Sequence, residues 1–271
     1  MGAVLPRIGA GRSVSTTEAR PLLLRVSGLR KTYGAVEALR DVTFEVARAE
    51  IVALVGDNGA GKSTTIKIIA GTEASDGGEI HFDGKSAHIR SPLDSMNLGI
   101  QTVYQDLALC DNLSIVANLY LGRELHTGLL PRLLSGLRDL AMQKEAAAVL
   151  GRLEINLPAL TTPVAALSGG QRQAVAVARA VLWGSKLVIL DEPTAALGVA
   201  QTRMVLNLIR QLAEHGIGVL LISHNLGDVF EIAHRIVVLR QGLTVGNFVK
   251  GETTPDRVVA AITGVQGGTY A

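Results

Sequence analysis

Gly56-Asp57-Asn58-Gly59-Ala60-Gly61-Lys62-Ser63 follows the spacing G-x-x-x-x-G-K-[ST], the pattern of a loop that cradles phosphate groups. Its glycines let the backbone close around phosphate oxygens with N–H groups turned inward, and the helix N-terminus that follows adds a favourable dipole. Lys62 is the residue to reach the β- and γ-phosphates, Ser63 is the one to hold Mg2+, and Thr64 completes the nucleotide contacts that begin at Gly56. A second element of such a site is the apolar run Leu187–Leu190, which delivers Asp191 and Glu192 at its end. Two adjacent acids there divide labour: Asp191 would hold Mg2+ through water, and Glu192 would polarise the attacking water as general base. The phosphate loop alone does not separate kinases, GTPases, helicases and transport ATPases.

Leu167-Ser168-Gly169-Gly170-Gln171 opens a helix about twenty residues before that acidic pair and narrows the class. With it the sequence resembles the ATP-binding cassette (ABC) ATPase family, whose signature reads the same five residues. The resemblance runs over about residues 22–263 and implies ATP and Mg2+ as the bound species. It also implies that Ser168, with the Gly169 and Gly170 amides and Gln171, binds the γ-phosphate held by an opposite subunit. Tyr33, in Lys31-Thr32-Tyr33-Gly34, matches the aromatic that stacks on adenine. Gln105 matches the glutamine that contacts Mg2+ and hinges a helical subdomain, and His224 matches the histidine that contacts the γ-phosphate. A lone Tyr, Gln or His is ordinarily packing or surface; here order and spacing carry the weight.

The chain departs from the family at one point. After Glu192-Pro193-Thr194 the family presents a small-residue turn ending in Asp, whereas here the turn is Ala195-Ala196-Leu197-Gly198. Gly198 offers no carboxylate for communication between two ATP sites. Within the family, the segments Val55–Gly59, Leu98–Leu109 and Asn118–Glu124 are similar to importers of ribose, xylose and fructose type. That similarity implies a single-cassette subunit that pairs head to tail with a second copy of itself. It further implies work on a membrane permease fed by a substrate-binding protein, at the cytoplasmic face of the plasma membrane. Soluble ABC ATPases of DNA repair or translation are the main alternative, but the long coiled coil of the first and the two cassettes of the second are both missing; cassettes for non-sugar substrates share every catalytic residue.

These residues need a scaffold, and the pattern supplies one. Residues 22–27, 42–46 and 51–55 read as strands, the third continuously apolar, and it runs straight into the glycine-rich loop. Residues 62–70 read as a helix, and 79–82 and 100–104 as strands. Between about 106 and 165 the texture turns helical, notably over 114–121 and 139–153, which predicts a helical insertion. A helix from near Gly169, a strand at 187–190, a helix over 200–214 and a strand at 217–222 follow, then short elements to the end. The alternation predicts an α/β fold: a P-loop NTPase core with a mainly parallel sheet, an antiparallel β subdomain and the inserted helices. One domain is expected over 21–263, with a frayed arm at 1–20 and a tail at 264–271.

Bulk properties agree with a folded nucleotide-binding chain. The 48% hydrophobic content excludes disorder over most of the length, and 3% aromatic content leaves few base-stacking side chains. Net charge is only +2, with Lys and Arg scattered, so no nucleic-acid footprint is present. Cys110 is the single cysteine, which rules out an internal disulfide and a cysteine metal cluster. Mean hydropathy is +0.32, yet no apolar run approaches the roughly eighteen residues of a membrane helix.

Overall fold

The computed structural model describes residues 20–126 and 137–265, so the expected arm at 1–20 and the tail at 264–271 lie largely outside the described residues. In chain order the elements are β1 (Leu22–Tyr33), β2 (Val36–Ala47), β3 (Ile51–Val55), α1 (Lys62–Ile69), β4 (Gly77–Phe82) and β5 (Lys85–Ser86). There follow α2 (Pro92–Leu98), β6 (Ile100–Val103), α3 (Ile115–Tyr120), α4 (Asp139–Arg152), α5 (Gly169–Leu182), β7 (Leu187–Asp191) and α6 (Val199–Glu214). The chain closes with β8 (Gly218–Ile222), α7 (Leu226–Ile232), β9 (Arg235–Arg240), β10 (Leu243–Val249) and α8 (Pro255–Thr263).

The strands join in the order β5-β4-β1-β2-β10-β9-β3-β8-β7-β6. Strands β9, β3, β8, β7 and β6 pair in parallel, whereas β1, β2, β4 and β5 pair antiparallel. All five residues of β3 are buried, because both faces of this part of the sheet are covered. Val52 and Leu54 join the cluster that contains Ile66 and Ile69 of α1. Ala53 and Val55 point the other way, toward Val229, Ala233 and Val258. The same alternation runs through β7, where Val188 and Leu190 meet the apolar sides of α5 and α6.

A separate core forms where the sequence predicted helices. Ile115, Leu119 and Tyr120 of α3 and Met142, Ala146 and Leu150 of α4 gather against Val175 and Ala178 of α5. Helix α5 therefore serves two cores, since its Ala174 and Val177 belong to the sheet cluster. Small residues on both flanks let it lie against both.

The structure differs from the sequence reading in extent. The strands expected at 22–27 and 42–46 are twelve residues each. Register shifts along the β1–β2 pairing break the period-two pattern that marks a strand, so the extra length does not show in the residue types. After Ile222 the chain holds two more strands, β9 in the middle of the sheet and β10 beside it, together with α7 and α8, where only short elements were expected.

One ion pair ties β9 to β2 and to the turn before β3. Arg235, at the start of β9, donates from Nε to Glu50 Oε1 (2.9 Å) and from Nη2 to Glu50 Oε2 (3.1 Å) and to Glu45 O (2.7 Å). Glu50 also accepts from the Ala47 amide at 2.7 Å, and the two side chains are only 18% and 11% exposed. Removing one member leaves a buried charge uncompensated, so Arg235→Met is expected to cost about 3 kcal/mol in urea unfolding. The double variant Arg235→Met/Glu50→Leu is expected to be more stable than the single one; a double variant less stable than the single one would contradict this account.

Candidate functional site

The loop after β3 is shaped by its glycines. Gly61 caps α1 at φ 106, and a Cβ there would lie 2.6 Å from Leu39 Cδ2. Only glycine accepts both the dihedral and the contact. A side chain at Gly56, φ 152, would meet the Leu239 carbonyl. The loop is braced internally by Ala60 N donating to Asp57 O (3.1 Å) and externally by Gly242 N donating to Ala60 O (3.1 Å). Gly242 lies in the β9–β10 turn, far away in sequence, and Gln241-Gly242 is the only local sign of it.

Lys62 folds over its own loop, its Nζ donating to Gly56 O (2.7 Å) and Asp57 O (3.0 Å). Burial pushes its ammonium down, and the nearby Glu192, Asp57 and Asp191 charges oppose that shift. Burial pushes the Asp191 carboxyl up, the Glu192 charge adds to the rise, and Lys62 opposes it. Glu192 stands at φ 52, an uncommon conformation for a non-glycine residue, with its N–H donating to Ile222 O at 3.0 Å. That kink aims its carboxylate across the strand end, where Oε2 is 2.8 Å from His224 Nδ1 and accepts from the His224 amide at 3.4 Å. Thr194 Oγ1 donates to the buried Asp228 carboxylate (2.7 Å), tying the turn after Glu192 to the helix after His224.

Lys62, Asp191, Glu192 and His224 are thus brought together by three neighbouring parallel strands, β3, β8 and β7. Gln105 follows β6, the next strand out, and is exposed; its side chain makes no hydrogen bond among the described residues. Tyr33, at the end of β1, is 40% exposed, with Lys31 Nζ 5.3 Å from the ring centre. Lys31 is held by Glu73 (2.9 Å) and Asp76 (3.3 Å), partners that nothing in the local sequence announces.

Ser168 and Gln171 form a capping box at the start of α5: Ser168 N donates to Gln171 Oε1 (3.0 Å) and Gln171 N to Ser168 Oγ (3.4 Å). Gly169 and Gly170 face α6 so closely that a Cβ at Gly170 would lie 2.7 Å from Met204 Cε. Among the described residues, no hydrogen bond or ion pair joins Ser168–Gln171 to the phosphate loop of the same chain. Gly198 caps α6 at φ −73, with open space around a Cβ, so a side chain there meets neither strain nor clash.

The donors fit magnesium by type. The Ser63 hydroxyl, Asp191 carboxylate and Gln105 amide offer hard oxygen donors, and the half-buried Asp191 carboxylate accepts no hydrogen bond among the described residues. No group of three or more His, Cys, Asp or Glu placed to hold a metal ion exists among the described residues. A cavity of about 1190 Å3 opens at the other end of the sheet, beside Glu50, Arg210 and His234, and touches none of the site residues. No helix among the described residues is long and apolar enough to cross a membrane.

Known proteins match this chain over most of its length. A family model described as "ABC transporter" matches residues 39–195. The chain is 45% identical over 241 residues to the xylose/arabinose import ATP-binding protein XylG of Sulfolobus acidocaldarius, covering 89% of this chain and 94% of that one. It is also 45% identical over 250 residues to the fructose import ATP-binding protein FrcA of Rhizobium meliloti, covering 92% and 96%. Among solved structures, a nucleotide-free ATP-binding cassette from an ABC transporter superposes with a TM-score of 0.76 at 24% identity, over 89% of this chain and 98% of that one.

The raised Asp191 carboxyl has a measurable consequence. A folded-state value above the unfolded one means that the folded chain holds the proton more tightly, so this stabilisation is complete below the unfolded value, about 3.9, and is lost as pH rises through the folded one. At neutral pH the environment of the Asp191 carboxyl therefore costs stability in the absence of nucleotide. Asp191→Asn is expected to raise the melting temperature of the nucleotide-free protein at pH 7.5, with a gain that shrinks as pH falls toward 4. A lowered melting temperature at pH 7.5 would contradict this account of Asp191.

Proposed function

The chain belongs to the ABC transporter family of ATP-binding, ATP-hydrolysing proteins, and from that premise we propose that it powers import of a sugar, in particular a monosaccharide, through a membrane permease. The observation that carries the catalytic part is the convergence of Lys62, Asp191, Glu192 and His224 at the C-terminal ends of adjacent parallel strands. In such sheets ligands bind at that edge. The sugar assignment rests on the xylose/arabinose and fructose import proteins, which the chain matches over nearly their whole length.

In this reading residues Gly56–Thr64 hold the triphosphate, Lys62 leaving its loop carbonyls for the β- and γ-phosphates, and Tyr33 stacks on adenine with its free face. Ser63, Gln105 and Asp191 would hold Mg2+, which would supply charge neutralisation to the phosphate oxygens. Water attacks the γ-phosphorus, the bond to the β-phosphate oxygen breaks, and Glu192 takes the proton from the attacking water. His224, held by Glu192, contacts the γ-phosphate. The catalytic domain spans 21–263, with the helical insertion at about 106–165 and with residues 1–20 and 264–271 outside it.

The Ser168 loop, which among the described residues makes no hydrogen bond or ion pair to the phosphate loop of its own chain, completes the site of a second copy arranged head to tail. ATP binding closes that dimer and hydrolysis opens it. The closing motion acts on a permease that a substrate-binding protein supplies, which places the chain at the cytoplasmic face of the plasma membrane as a peripheral subunit.

Glu192→Gln is expected to retain ATP binding while turnover falls by about 10²–10⁴-fold, and sugar uptake into permease-reconstituted vesicles is expected to disappear with it. Turnover within a few-fold of wild type would remove Glu192 as the base; uptake that persists without turnover would remove the transport role.

Shared sites have their own test in mixed dimers carrying Lys62→Ala and Ser168→Arg. Both substitutions on one chain put one defect in each site, whereas one on each chain confines both to a single site and leaves the other whole. The second arrangement is expected to keep activity that the first loses; equal activities would contradict a site built from two subunits.

A further inference from the structure

Gln105 is fastened on two sides. It stands two residues beyond β6, whose Val103 pairs with Leu190 of β7, so one end of its loop moves with the sheet. The other end is held by a single side chain of α5. Arg179 donates from Nη2 to Leu107 O (3.1 Å) and from Nη1 to Ala108 O (3.2 Å), so that one planar guanidinium spans two successive carbonyls.

This clamp is an unusual use of a charge. Arg179 is half-buried, which pushes its guanidinium down from the ordinary value, and it makes no ion pair among the described residues. Here its donors go to the backbone of one loop. The loop itself is stiff: Ala108 stands at φ 47, its N–H donates to Asp106 Oδ1 (3.3 Å), and the wholly buried Asn118 accepts from Cys110 N (2.7 Å) and donates to Cys110 O (3.0 Å). Residues 106–110 are therefore braced, and Gln105 is joined directly to them, between this braced segment and the end of β6. Helix α5 begins at Ser168 and shares its core with α3 and α4, so its placement is that of the helical layer.

We propose that Arg179 is a positioning residue for ATP hydrolysis, tying the loop of Gln105 to the helix that begins at Ser168, so that Gln105 takes its place at the nucleotide only when α5 is in position. The proposal rests on the reading of Gln105 as a ligand of the nucleotide's metal. Lysine at position 179 keeps the positive charge but lacks the fork that bridges two carbonyls.

The test is a double-mutant cycle on the purified full-length chain, using Arg179→Lys, Gln105→Ala and the pair, with steady-state ATP hydrolysis and a melting curve for each. Arg179→Lys is expected to lower kcat about tenfold or more, as small misplacements of a catalytic group do. Its KM for ATP is expected to stay within about twofold, the signature of an interaction made in the transition state. In the Gln105→Ala background the same substitution is expected to change kcat little. An equal fold-loss in both backgrounds, or no loss in either, overturns the proposal. Should Arg179→Lys fail to fold, Asp106→Ala replaces it in the cycle, because Asp106 is exposed and its loss frees the Ala108 N–H without touching Arg179. The same dependence on Gln105 is then expected, with a smaller loss. Gln105→Ala with unchanged kcat sinks the reading of Gln105 itself, and this result needs no Arg179 variant, so the two failures are distinguishable.

Discussion

Parallel pairing of β3, β8, β7 and β6 is the constraint from which the rest follows. Parallel strands that share a register end on the same side of the sheet, and Leu54↔Ile222, Asp191↔Ile222 and Val103↔Leu190 bring four strand ends into one row. Every loop that leaves that row carries a polar group: the phosphate loop, Gln105, the Asp191-Glu192 pair and His224. Burial of both faces makes the register strict, since a slip of one residue would turn each apolar side chain to the wrong layer. Packing in the core thus fixes the spacing of groups that never touch the core.

The row concentrates charge at some cost to the folded chain. Lys62 and Asp191 are both withdrawn from water and both disfavoured in their charged forms, each compensated in part by the other. Without a ligand, Lys62 spends its donors on carbonyls of its own loop. A polyphosphate with its cation offers each group a better partner than it has, which is the physical sense in which the site is prepared for one. The Glu192 and Ala196 backbones, both at positive φ, show that the turn beyond β7 also stores strain, held by the Thr194–Asp228 hydrogen bond.

Two cores meet along α5, and this geometry links the site to the helical layer. Its Ala174 and Val177 sit in the sheet cluster and its Val175 and Ala178 in the cluster with α3 and α4. Gly169 and Gly170, at its first turn, lie against Leu197, Gln201 and Met204 around the start of α6, next to the turn that follows Glu192. One helix therefore touches the loop of Gln105, the segment after Glu192 and the helices α3 and α4.

Residue types and spacing determined the phosphate loop, the acidic pair, the Ser168 cap and the class of fold, because each depends on a short segment whose chemistry is local: a glycine dihedral, a helix cap, an apolar strand ended by acids. The family resemblance carried Tyr33, Gln105 and His224, which no local pattern distinguishes from packing or surface residues. Tertiary structure alone decided what holds these segments. Gly242 bracing the phosphate loop, Glu73 and Asp76 gripping Lys31 beside Tyr33, Asp228 holding Thr194 and Arg179 clamping Leu107 and Ala108 are partners separated by about 34 to 182 residues, joined only once the sheet has closed. The length of β1 and β2 and the place of β9 were likewise settled by pairing, since bulges erase the alternation and a strand's neighbours are set by topology rather than by its own residues.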